Sequence, residues 1–162
     1  MNKIYLALYK GKPSSKIERI KDGLIRFFTK GIYSHCELVV ERVEYLNGYH
    51  YEREIIYDCY SSSPRDGGVR KKQININKDK WDLIQLDNIT EEQIKSYFEK
   101  TKGKKYDIFG ALGVVFGLRE RKSRFFCSEW CFNVIFNSNH GWRFSPNHLA
   151  AIFNKNKGEC MK

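Results

Sequence analysis

The chain has no Cys-x-x-Cys pair, and its five cysteines, at 36, 59, 127, 131 and 160, form an odd count without a paired framework. That pattern argues against a disulfide scaffold and fits a reducing compartment. The apolar stretch 108–118 is much too short to cross a bilayer. No secretory leader precedes the strand-like run at 4–9, so a cytoplasmic protein is expected. Long arginine stripes, zinc-finger spacing and single-strand aromatic motifs are also missing, as are internal repeats and a domain-separating linker. The charge is nonetheless +10, from 29 Lys and Arg against 19 Asp and Glu. Dispersed as they are, these cations describe a solvated surface, and nucleic acid is not the expected partner. The net field favours lipid headgroups or acidic protein surfaces.

What is present is a folding composition: 41% hydrophobic and 15% aromatic residues in 162 positions, enough for the core of one domain, 1–162. Residues 3–9 read as a strand. Ser15 with Glu18 offers a capping box to a helix whose Ile17, Ile20, Leu24 and Phe27 repeat on one face, and Gly31 is a stop. Strands are expected at 34–45 and 53–60, joined around Asn47-Gly48, and a loop at 61–68 from its Ser, Pro, Asp and Gly content. A short strand follows at 81–86. Thr90 and Gln93 form a second capping box, so a helix starts near 91. Asp107 can cap another helix, with Gly110, Gly113 and Gly117 roughly on one side for close packing. Further helices are expected after Cys127 and after Ser145-Pro146. One strand, a helix, a group of strands and then mainly helices make an α+β order, with a small antiparallel sheet packed against helices.

Cys127 lies where Phe125-Phe126-Cys127-Ser128-Glu129-Trp130 turns into a helix, a place where unpaired N–H groups stabilise a thiolate and can receive an oxyanion. Glu129 carries charge opposed to a thiolate and is expected to point away or to meet a basic residue. His35, in Tyr33-Ser34-His35-Cys36-Glu37-Leu38-Val39, is a base on a strand. Period-two alternation puts His35, Glu37 and Val39 on one face and Ser34, Cys36 and Leu38 on the other. Glu37 can therefore orient the imidazole, with Asp58, Ser61 and Ser62 on the next strand as competitors for that place. Cys127 and Cys131, four apart on one helical side, also fit small buried apolar positions. A zinc site would need Cys36, Cys59, Cys127 and His35 to converge. His50, His140 and His148 have no spacing that commits them to chemistry.

In their order, these segments resemble the circularly permuted branch of the NlpC-type papain-like cysteine peptidases and amidases, near the lecithin:retinol acyltransferase-like group. The resemblance is carried by the His35 strand, Gly67-Gly68-Val69-Arg70, Gly103-Lys104-Lys105-Tyr106-Asp107, Phe126-Cys127-Ser128-Glu129 and Ser145-Pro146, and spans most of the chain. The strings from Tyr33 to Leu38 and from Cys59 to Arg70 are also similar to small proteins encoded by bacteriophages, which implies action in an infected bacterium; a host protein or a cell-wall peptide is the expected substrate. The family implies a papain-like domain in which Cys127 is the nucleophile and His35 its base; the catalytic third member expected here, from the strand alternation, is Glu37. It implies hydrolysis of a peptide-like amide through an acyl-enzyme, with no cofactor or metal. Members often carry the third polar residue on the following strand and a small residue at the Glu37 position, so the orienter stays open. Transfer or hydrolysis of a lipid acyl group or thioester is the neighbouring chemistry. A non-catalytic protein on the same fold, binding an acidic host partner, is the rival from another class.

Overall fold

The computed structural model describes residues 2–45, 53–111 and 123–158. Strands β1 (Lys3–Tyr9), β2 (His35–Tyr45), β3 (Arg53–Ser63), β4 (Gly68–Gln73), β5 (Trp81–Gln85), β6 (Lys105–Tyr106) and β7 (Arg124–Phe125) form one sheet in the order β5-β1-β2-β3-β4-β6-β7. All neighbours are antiparallel except β6 and β7, which run parallel. The class is thus α+β, but with seven strands in a mixed sheet rather than a small antiparallel one. The difference arises because polar segments absent from the sequence-based reading, β4 above all, extend the sheet at its β3 edge.

Helices α1 (Lys16–Phe28), α2 (Glu91–Thr101), α3 (Cys127–Phe136) and α4 (Pro146–Gly158) complete the described architecture, with a 3₁₀ turn at Gly141–Arg143. Period-two alternation sorts the central strands onto two faces. Leu6, Leu8, Cys36, Leu38, Val40 and Tyr60 pack on one side with Cys127, Trp130, Cys131 and Val134 of α3. Ala7, Tyr9, Val39, Cys59 and Trp81 form a second, smaller cluster on the other. The expected loop at 61–68 is shorter than its composition suggests. Ser61, Ser62 and Ser63 belong to β3 and are buried. Their burial is tolerated because Ser61 Oγ donates to the Cys36 carbonyl and Ser62 Oγ to that of Phe125, both at 2.7 Å. The actual turn closes at Gly67, with φ of +80°, and Gly68 is needed because a Cβ there would lie 2.0 Å from the Lys104 carbonyl oxygen.

Helix starts follow the sequence with one exception. Gln93 N–H donates to Thr90 Oγ1 at 3.2 Å and Thr90 N–H to Gln93 Oε1 at 2.7 Å, completing the capping box. Thr90→Ala is expected to lower stability by about 1 kcal/mol, measured as a shift of the urea midpoint. Asp107 Oδ1 accepts from Gly110 N–H at 2.9 Å at the head of a helix that begins at 108; Gly113 and Gly117 lie outside the described residues, as does the Asn47-Gly48 connection. Ser145 and His148 cap α4 reciprocally, each backbone N–H donating to the other's side chain at 3.2 Å. At α1 no such box forms. Ser15 makes no side-chain cap, and Glu18 is drawn instead to Arg65 at 3.0 Å.

Candidate active site

His35 is the first residue of β2, paired in register with Tyr9, the last residue of β1. That position lets its imidazole stand at the end of the sheet while alternation aims it at the same face as Glu37. The approach to β2 is anchored from α4: Asn147 Nδ2 donates to the Tyr33 carbonyl at 2.9 Å and to Thr29 Oγ1 at 2.7 Å, and its Oδ1 accepts from Tyr33 N–H at 3.0 Å. Gly31 leaves the room this requires, since a Cβ there would overlap the Asn147 side chain.

His35 Nε2 lies 3.0 Å from Glu37 Oε1. Both Glu37 oxygens are also gripped by Arg70, Nη1 to Oε2 and Nη2 to Oε1, each at 2.7 Å. Asp66 Oδ2 accepts from Arg70 Nε at 2.8 Å. The result is a line of charges, Asp66–Arg70–Glu37–His35, that runs from the exposed turn before β4 to the buried Glu37 on β2. Bidentate guanidinium–carboxylate pairing fixes the plane of Glu37, and Glu37 in turn fixes the imidazole. Asp58 is turned elsewhere, pairing with Arg42 at 2.8 Å and Lys71 at 2.9 Å. Ser61 and Ser62 are engaged with backbone carbonyls. Of the four side chains that competed for the far side of the imidazole, Glu37 is the one in contact with it.

The Cys127 thiol lies close enough to His35 for each to perturb the other. The Cys127 thiol is held well below its ordinary value, first by a hydrogen bond from the Cys36 thiol and then, against the cost of burial, by the His35 charge and the Cys36 backbone N–H. Burial works against a charged imidazole, but the Cys127 sulfur and Glu37 outweigh it and raise His35 to about 10. Both shifts act in the direction of a thiolate–imidazolium pair. Glu37 stays below its usual carboxylate value: burial opposes ionisation, and Arg70 and His35 overcome that cost. Burial pushes the Cys36 thiol the other way, up, helped by Cys127 and Cys131.

Cys127 opens α3, so the N–H groups of the first turn are free of intrahelical partners beside it. Glu129 neither points away nor stands at the surface. It is buried, and its Oε2 accepts from Phe126 N–H at 3.3 Å, at the residue just before the helix. Helix capping claims this carboxylate, which explains how a negative charge is accommodated two residues from the thiolate.

A groove of about 500 Å³ opens over His35 and Glu37, walled by Tyr9 and Trp81 on one side and by Asp22, Arg65 and Arg70 on others. Cys127, only 4% exposed, borders a separate recess of about 10 Å³; Ile25, Ser34 and Tyr106 line both spaces. Arg70, Asp22 and Tyr106 are site residues the sequence-based reading did not single out as such. Arg70 was legible only as part of a turn motif, and Asp22 as a polar position on α1. Burial raises the Asp22 carboxyl, with Arg65 and Ser34 opposing, and it lies close enough to His35 for their charges to interact. Burial and the Cys127 charge also raise the Tyr106 hydroxyl.

The remaining candidates do not assemble. Cys59 sits in the core cluster on the opposite face from Cys36 and Cys127, so the four-residue zinc set does not converge. Among the described residues no group of three His, Cys, Asp or Glu side chains is arranged to hold a metal ion. Cys131 is fully buried in the α3 core, and His148 serves as a cap. His140 is exposed and His50 lies outside the described residues. No helix among the described residues is long and apolar enough to cross a membrane. Comparison of the chain with family models, with curated proteins and with solved structures returned no match.

Proposed function

We propose that the protein is a cysteine hydrolase with a papain-like domain in circularly permuted order, cleaving a peptide-like amide through an acyl-enzyme. The observation that carries this reading is the hydrogen-bonded line Arg70–Glu37–His35, which fixes the imidazole beside a Cys127 thiol whose value it lowers. The Cys127 thiolate attacks the substrate carbonyl carbon, forming an S–C bond as the carbonyl π electrons move to oxygen. First-turn N–H groups of α3 receive that oxyanion. His35 delivers its proton to the departing nitrogen, the C–N bond breaks and a thioester remains. Neutral His35 then takes a proton from water, whose oxygen displaces the thiolate and releases the acid. Glu37 stabilises the imidazolium at both stages, and Arg70 holds Glu37 in place.

The groove favours an amide of peptide type because it offers charges of both signs beside two aromatic rings, which suits a polar chain with hydrogen-bonding groups. Transfer or hydrolysis at a lipid acyl or thioester bond uses the same thiolate and differs in the leaving group. The confined recess at Cys127 is the observation that favours the other class, a non-catalytic binding protein on this fold. Peptidyl acyloxymethyl ketones, which alkylate activated thiolates, separate the two. Intact-mass analysis is expected to show one adduct per chain, mapping to Cys127 among the five cysteines. No adduct, or adducts spread over several cysteines, rejects the catalytic reading. Matched anilide and ester substrates with the same acyl group then report which bond is preferred.

A further inference from the structure

The helix α1 has a face with no described partner. Ile17, Ile20, Leu24 and Phe27 follow at helical spacing and are 66%, 64%, 43% and 76% exposed. Four large apolar side chains in one stripe on the surface are more than scattered exposure, which is normal, accounts for. The charges on the same helix are sorted. Its acidic residues, Glu18 and Asp22, turn toward the groove, where both pair with Arg65. Arg26 turns inward too, donating to the Gly11 carbonyl at 2.6 Å. Three cations are exposed on and just beyond this helix, Lys16, Arg19 and Lys30. An apolar stripe accompanied by these cations, on a chain of net charge +10, is complementary to an anionic bilayer surface, where the stripe enters the headgroup boundary and the cations meet phosphates.

We propose that α1 docks the protein onto anionic lipid bilayers by this face. Ile25 of this helix and Thr29 just after it line the Cys127 recess together with Ala111, and Ile108, three residues before Ala111, is 52% exposed. Docking by α1 therefore brings the candidate active site to the membrane surface. The surface requires no chemistry at Cys127, so its test stands apart from that of the hydrolase reading.

The test is co-sedimentation of the full chain with phosphatidylcholine vesicles, with and without phosphatidylglycerol. Each cation brought to an anionic surface is worth about fivefold in binding, so Lys16, Arg19 and Lys30 together set a difference of roughly a hundredfold between the two vesicle types. High salt is expected to erase most of it. The double variant I20S/F27S, at exposed positions outside the groove, is expected to lose binding to both vesicle types while keeping the circular dichroism and urea midpoint of the parent. Failure of the wild-type chain to bind anionic vesicles overturns the proposal and needs no variant. So does undiminished binding by I20S/F27S. A concentration-dependent dimer that the variant makes monomeric assigns the face to a second copy instead. A variant as unstable as a core substitution assigns it to the chain's own interior.

Discussion

Replacing His35 by alanine is expected to move the pH midpoint for alkylation of Cys127 from well below the ordinary thiol value of about 8.5 to that value or above it. Removal of the imidazolium takes away both the charge and one of the hydrogen bonds that hold the sulfur as thiolate, and burial then acts unopposed by His35. At pH 6 fewer than roughly one such thiol in a hundred would be ionised. A more basic thiolate is intrinsically more nucleophilic, which offsets part of that loss, so the net fall in iodoacetamide rate is expected to be roughly tenfold or more. The sign on the alkaline side follows from His35. Its value is raised to about 10, so the ion pair contributes stability fully below the free imidazole value of about 6.5 and loses it as pH rises through about 10. For Cys127 the direction is opposite: its lowered value makes the contribution disappear as pH falls through the folded-state value. Reactivity in the wild type should therefore hold a plateau between these limits. Equal rates and midpoints in the wild type and His35→Ala would remove the proposed activation.

The second large effect is expected at Arg70. Its side chain is 15% exposed and that of Glu37 2%, so Arg70→Met leaves a buried carboxylate facing only His35. Breaking a buried pair from one side costs about 3 kcal/mol or more, because the remaining charge is uncompensated. The double variant E37Q/R70M is expected to be more stable than Arg70→Met alone, since it removes the stranded charge. Glu37 is held below its ordinary value in the folded chain, so this contribution is present at neutral pH and is lost as pH falls through the acid range. The penalty for Arg70→Met should accordingly shrink in acid. Urea unfolding of the wild type, Glu37→Gln, Arg70→Met and E37Q/R70M at two pH values measures all of this, and additive single-site effects would show that the Arg70–Glu37 pair does not couple.

Why these residues were legible in unequal measure is a matter of range. Period-two alternation along 34–39 is local, so it correctly placed His35 with Glu37 and Val39 on one face and Cys36 with Leu38 on the other. The Thr90–Gln93 box and the Ser145-Pro146 start are equally local and formed as read. The choice of orienter was not local. Asp58, Ser61 and Ser62 sit on the adjacent strand, and which of them approaches the imidazole depends on register and on rival partners: Val40 lies opposite Asp58, and Arg42 and Lys71 take its carboxylate. Arg70 escaped notice because β4, Gly-Val-Arg-Lys-Lys-Gln, has the composition of a surface turn and joins the sheet only through its neighbours β3 and β6. The serines before it misled for the matching reason, since hydroxyl groups that signal a loop in solution can lie in a buried strand once carbonyls accept from them. Glu129 went the same way: its charge suggested solvent, and the free Phe126 N–H at the helix start drew it inward.

The central claim is that Cys127 is a thiolate held by His35. Thiolate absorbance in the ultraviolet, recorded from low to high pH on the wild type and on Cys127→Ser, isolates this one sulfur, because the other four cysteines are common to both proteins. The difference between the two proteins is expected to show Cys127 ionising well below about 8.5. A midpoint at or above that value would contradict the account.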